Sequence, residues 1–121
     1  MQKSTVATGK AAEDMACDYL SQQGLTLLSR NYHCPRGELD LVMQEADTIV
    51  FVEVRYRKHT QFGSGAETVT RAKQSRLITT ALHYLQTHPK YNNRPSRFDV
   101  ISICPQAQAS AIDWIKDAFQ S

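Results

Sequence analysis

Apolar residues recur along the chain in two different periods. Near the start, Ala12, Met15, Ala16, Tyr19 and Leu20 fall on one side of a helical repeat, which predicts a helix from about Gly9 to Gln23. Gly24 follows where a left-handed C-cap ends such an element. Leu25 to Tyr32 is short and apolar and follows that stop, so it reads as a strand, and His33 to Gly37, with Pro35 and Gly37, reads as a turn. The period then changes to two, with Leu39, Leu41 and Met43 alternating with Glu38, Asp40, Val42 and Gln44. The run Ile49 to Tyr56 is β-branched and aromatic, so the two runs predict a hairpin joined through Glu45-Ala46-Asp47-Thr48. A second helix is expected over Thr70 to Thr87, with a stripe of Leu77, Ile78, Ala81, Leu82 and Leu85 and a stop at Pro89. Phe98 to Ile103 predicts a further strand ended by Pro105, whereas Ala111 to Phe119 suits a strand or a short helix. Lys58 to Ala66 and Pro89 to Ser96 are expected loops, and no internal repeat appears.

A chain of 121 residues is long enough to bury a core without disulfides or structural metal, so one domain over 1–121, with its core at about 9–119, is expected. Cys17, Cys34 and Cys104 are odd in number and lack a CxxC pair, which suggests neither a disulfide framework nor a zinc knuckle. Reduced cytoplasm is the expected location. Met1 to Lys10 lacks the apolar core of a signal peptide, and no apolar run approaches the roughly 20 residues of a membrane span.

The net charge of +2 is too small to announce a nucleic-acid binder, but its distribution is uneven. Glu38, Asp40, Glu45, Asp47 and Glu53 fall in a stretch without Lys or Arg, and Arg55, Arg57, Lys58, Arg71, Lys73 and Arg76 follow with Glu67 as the one acid among them. An acidic pocket beside a basic flank suits a metal-assisted phosphate site, and a pair of ordinary solvated faces fits the same charges. Hairpin register sharpens the first reading. A turn centred between Ala46 and Asp47 puts Asp40 opposite Glu53, with Cα atoms about 4.5–5.5 Å apart and side chains on one face. Arg55, two residues on, shares that face. Facing carboxylates repel unless a cation fills the gap or one acid keeps its proton. Hard oxygen donors of this kind suit Mg²⁺ together with a substrate phosphate, which makes phosphodiester hydrolysis the natural reaction class. In the competing structural reading, Asp40 faces solvent and Glu53 pairs with Arg55 or Arg57.

Gly37-Glu38-Leu39-Asp40-Leu41 followed by Phe51-Val52-Glu53-Val54-Arg55-Tyr56-Arg57 resembles the PD-(D/E)XK nuclease pattern. In particular the chain resembles the YraN family, endonuclease-like bacterial proteins similar to archaeal Holliday junction resolvases. The likeness runs from Gly9-Lys10-Ala11-Ala12-Glu13 through Val69-Thr70-Arg71-Ala72-Lys73 and Arg97-Phe98-Asp99-Val100 to Trp114-Ile115-Lys116-Asp117-Ala118-Phe119. It implies an α/β restriction-endonuclease-like fold, a mixed central sheet flanked by helices. It also implies a metal-dependent DNA endonuclease, with branched DNA as substrate and Glu13, Asp40 and Glu53 holding Mg²⁺ or Mn²⁺. Arg55 stands where the pattern writes Lys; an arginine stays protonated, so it cannot act as a general base, although it can stabilise phosphate charge. Lys73 either supplies the missing ammonium or is a solvated helix-face lysine.

Arg57, Lys58, Arg71, Lys73 and Arg76 form the expected nucleic-acid-binding surface, since phosphate contacts come mainly from Lys and Arg. His33 beside Cys34 reads as a turn residue with an idle thiol, His59 as a solvated loop histidine, and Trp114 and Tyr56 as core. The main rival to the enzyme is a non-catalytic nucleic-acid-binding module with a degenerate nuclease site; a structural or partner-binding protein with solvated acids is the third reading. A homodimer is compatible with the resemblance to resolvases, and no residue pattern demonstrates one.

Overall fold

Gly24 ends the first helix as its position predicts. With φ at +100°, it lets the Leu25 N–H reach back to the Leu20 carbonyl at 3.1 Å and its own N–H to the Ser21 carbonyl at 3.1 Å, the paired bonds of a Schellman cap. A computed structural model of the chain describes residues 5–56, 69–104 and 111–120. In chain order these form helix α1 (Thr5–Gln22), strands β1 (Thr26–Cys34), β2 (Gly37–Glu45) and β3 (Thr48–Tyr56), helix α2 (Arg71–Thr87), a single 3₁₀ turn (Pro89–Tyr91), and strands β4 (Ser96–Cys104) and β5 (Ala111–Phe119). The helix begins at Thr5 rather than Gly9, because an interior Gly weakens a helix by only about 1 kcal/mol relative to Ala and does not stop it.

The fold is α/β, a mixed five-stranded sheet in the order β1-β2-β3-β4-β5 with two helices. β1, β2 and β3 are successive antiparallel neighbours, β3 and β4 pair in parallel, and β5 is antiparallel to β4. Parallel pairing requires a crossover, which α2 provides. The expected turn at His33 to Gly37 is tighter than the sequence suggests: Cys34 pairs with Gly37, so only Pro35 and Arg36 lie between the strands. The segment expected as a loop at Pro89 to Ser96 contains the 3₁₀ turn and gives its last residue to β4. Lys58 to Ala66 lies outside the described residues.

Each face of the sheet is packed. On one side α1 contributes Ala12, Ala16 and Leu20, which meet Leu41, Met43, Val50, Val52, Ile101 and Ile103. On the other, Leu77, Ala81 and Tyr84 of α2 meet Val42, Ile49, Phe51, Phe98 and Val100. Burying a Leu or Ile side chain is worth about 1.5–3 kcal/mol, so the two helices are held chiefly by these apolar layers. The C-terminal segment, undecided from periodicity, is strand β5. Its alternation is disguised because Ile112 and Trp114 pack on the α1 side while Ala118 and Phe119 pack on the α2 side. Asp117, at φ +53°, lies between the two pairs at an irregularity opposite Phe98 and Val100.

Candidate metal and phosphate site

A similar reversal builds the site. In β1, Arg30 pairs with Leu41, and Tyr32 with Leu39. A regular strand puts residues two apart on one face, yet Leu41 packs with α1 and Leu39 with α2. Between them stand Asn31, at φ +53°, and Asp40, neither of which takes part in the paired register. Asn tolerates the left-handed region because its side chain is short and polar. Asp40 therefore lies where the ribbon turns over.

The β2–β3 register runs from Glu45↔Thr48 to Leu41↔Val52, so Asp40 and Glu53 are the next positions along, as the turn position predicts. Instead of continuing the backbone ladder, the Val54 N–H donates to Asp40 Oδ2 at 2.9 Å. Glu53 is 5% exposed. Burial first, then the charge of Glu53, pushes the Asp40 carboxyl from 3.8 to about 8; the Val54 N–H opposes the shift, while a side-chain hydrogen bond with Glu53 and the charge of Glu13 add to it. A half-buried Asp40 that keeps its proton beside the buried Glu53 is also a place where a cation can replace the proton.

Helix α2 brings the cations. Thr70 caps it, accepting from the Lys73 N–H at 3.1 Å. This sets the first turn so that Lys73 Nζ lies 2.8 Å from Glu53 Oε2, with Arg55 Nη1 at 3.4 Å from the same oxygen. The first turn of α2 contains no acid and carries Arg71 and Lys73, although a helix N-terminus favours negative charge. An anion bound there relieves that mismatch. Gly37, Glu38, Asp40, Glu53, Lys73, Arg76 and Leu77 line a pocket of about 200 Å³. Gly37 lets the turn press against α2: a Cβ at this position would lie 3.0 Å from Thr80 Oγ1, and its φ is +152°.

Glu13 stands across the ribbon. It pairs with Arg30 at 3.4 Å, Arg30 also holds Asp14 at 2.8 Å, and Glu13, Arg30, Lys10, Gly9 and Asn31 line a separate open hollow. Among the described residues, no three His, Cys, Asp or Glu side chains form a group able to hold a metal ion. The acids that converge are Asp40 and Glu53, which fit a hard divalent cation whose other positions go to water and phosphate. Arg57, Lys58 and His59 lie outside the described residues. His33 pairs with Glu38 at 3.2 Å within the strands rather than in the turn, Trp114 packs edge-on to Tyr19, and Tyr56 packs against the α1-side core.

A second charged cluster, not singled out as a unit from the sequence, lies near the start of β4, where Asp99 pairs with Val52, the residue before Glu53. Asp99, fully buried, accepts from Arg97 Nε at 3.0 Å, from Trp114 Nε1 at 3.0 Å and from the Asp117 N–H at 2.9 Å. Arg97 also donates to Glu45 at 2.8 Å. Every partner is supplied from within, so the cluster fastens β5 to β4.

The model of the family described as "Uncharacterised protein family UPF0102" matches residues 12–103, from the buried face of α1 to the end of β4. A UPF0102 protein of Nitrosococcus oceani is 48% identical over 112 residues, covering 93% of this chain and 90% of its own. Another, from Stutzerimonas stutzeri, is 49% identical over 115 residues, covering 95% and 96% respectively. One from Saccharophagus degradans is 51% identical over 112 residues, covering 93% and 92%. The chain belongs to the UPF0102 family, the YraN group.

Proposed function

We propose that this protein is a metal-dependent endonuclease that hydrolyses phosphodiester bonds in DNA. The observation that carries the reading is the convergence of Asp40 and Glu53 in one pocket with the Lys73 ammonium 2.8 Å from Glu53. Asp40 and Glu53 would hold Mg²⁺ or Mn²⁺, which when bound polarises a phosphoryl oxygen and makes water a better nucleophile. Glu13 adds negative charge from the α1 side. Lys73 occupies the place at the carboxylate that the nuclease pattern gives to a lysine on the strand. With Glu53 engaged in holding the metal, the Lys73 ammonium, now 2.8 Å from Glu53, would be available to a phosphate oxygen. Arg55, always protonated, contributes charge and not proton transfer. The resemblance to junction resolvases extends the reading to branched DNA.

The test is nicking and cleavage of linear, flapped and four-way DNA with Mg²⁺ or Mn²⁺. Activity in the wild type that disappears in Asp40→Ala and in Glu53→Ala is expected, and cleavage indifferent to both substitutions overturns the assignment. One observation favours the rival reading of a non-catalytic DNA-binding module: Glu53 already has two cations, Lys73 and Arg55, and is neutralised without metal. Arg55→Lys separates the two. A rise in nicking marks a degenerate lysine position, and a fall marks an arginine that works in its own right.

A further inference from the structure

Between Val69 and Phe98 the chain contains no Asp or Glu, while it carries Arg71, Lys73, Arg76, Lys90, Arg94 and Arg97. Arg97 is taken up by Asp99 and Glu45. The other five sort into two groups at opposite ends of α2. Arg71, Lys73 and Arg76 are at its start, beside the pocket, and Lys90 and Arg94 are at the 3₁₀ turn beyond its end. Between the groups the exposed positions Thr79, Leu82, Gln86 and Thr87 carry no charge.

Lys90 and Arg94 are not loose surface cations. Lys90 Nζ lies 5.0 Å and Arg94 Cζ 5.6 Å from the ring centre of Tyr91. Tyr91 is itself buried and parallel to Tyr84 of α2 at an interplanar angle of 5°. A ring fixed in the core thus holds both cations over its π-system, which lowers the entropy lost when they take up a ligand. Among the described residues no carboxylate pairs with Arg71, Arg76, Lys90 or Arg94.

We propose that Lys90 and Arg94, held on Tyr91, form a second phosphate contact on the same nucleic-acid arm that enters the pocket, with the arm lying along α2. The proposal rests on the nucleic-acid reading of the pocket and adds a measurable span to it. From Lys73 to Lys90, at about 1.5 Å per helical residue, the two contacts lie about 25 Å apart. Phosphates on one strand of a B-form duplex advance about 3.4 Å per base pair, so an arm reaches both contacts only beyond about seven base pairs.

The test is fluorescence anisotropy of the full chain with DNA hairpins whose stems fall on either side of that length, about five and about fourteen base pairs. Ca²⁺ is present as a hard ion suited to the same carboxylates, and salt is varied. For the long stem, Lys90→Ala/Arg94→Ala is expected to weaken binding several-fold and to lower the slope of log affinity on log salt by about 1.8, two phosphate contacts' worth. Short-stem binding is expected to stay as in the wild type. Unchanged Trp114 emission shows that the variant remains folded. Equal weakening on both stems, or an unchanged slope, overturns the second contact; if Arg76→Ala still weakens both stems, the reading of the pocket survives. A wild type with no salt-dependent affinity for either stem overturns the second contact and the nucleic-acid reading together.

Discussion

Asp40 holds its proton up to about pH 8, because of burial first and the charge of Glu53 second, and this has a consequence for stability. Between the ordinary 3.8 and about 8, the folded chain binds a proton at Asp40 that the unfolded chain has released. The stabilisation is therefore complete below 3.8 and is lost as pH rises through the folded value. The thermal midpoint of metal-free protein is expected to fall between about pH 5 and pH 8.5, and that of Asp40→Asn, which mimics the protonated acid without titrating, to fall less. Parallel profiles for the two proteins would remove Asp40 as the responsible group. The same pair predicts a metal effect of opposite pH dependence. At about pH 8, Mg²⁺ at a hundred times its dissociation constant is expected to stabilise the wild type by about 2.7 kcal/mol, visible as a rise of several degrees that Asp40→Ala abolishes. The opposition of Asp40 and Glu53 was legible because the turn at Ala46-Asp47 sets the register of everything beyond it. Lys73 was legible only as one of two readings, since its distance from Glu53 depends on where α2 docks, which no local pattern encodes.

At the scale of elements, the site depends on α2 lying close against the β1–β2 turn. Gly37 sets that approach, for a methyl group here would press on Thr80 Oγ1 at 3.0 Å in a backbone conformation that side chains rarely adopt. Gly37→Ala is expected to cost about 2 kcal/mol, read from the urea midpoint. Part of the loss should return in the Thr80→Ala background, where the contacting oxygen is gone; an equal cost in both backgrounds would place the whole effect in the backbone and none in the contact. Helix α2 itself was readable from its stripe and its stop at Pro89, although Leu82 of that stripe is exposed and Tyr84 is buried in its place. So were the two strands of the hairpin, whose alternation is regular between Leu41 and Phe51. Elements with a left-handed residue inside them were harder to read. Asn31 and Asp117, both at φ +53°, shift the side-chain alternation from one face to the other, and that is why β5 looked as much like a helix as a strand.

On the scale of the whole molecule, the parallel pairing of β3 with β4 divides labour between two charged clusters. The crossover sets the start of α2 beside Glu53 near the carboxyl end of β3, where open α/β sheets commonly place ligands, and it is this cluster that the proposed function assigns to a cation and a phosphate. The Asp99 cluster, near the start of β4, is saturated by Arg97, Trp114 and Asp117. Its task is to hold the edge strand β5. Removing one partner of a buried ion pair costs about 3–5 kcal/mol, and Arg97 retains Glu45 as a second acceptor, so Asp99→Ala is expected near the lower end of that range. Trp114 is the one tryptophan in the chain and loses its indole N–H acceptor in this variant, so its emission should shift to the red while the protein is still folded. The Mg²⁺-dependent rise in thermal midpoint should persist in Asp99→Ala, because among the described residues the side-chain hydrogen bonds and ion pairs of Asp40, Glu53 and Lys73 come from β3 and α2 and not from β5. A folded Asp99→Ala protein without that rise would show that the clusters are coupled through β4, and would give Asp99 a part in the site as well as in the fold.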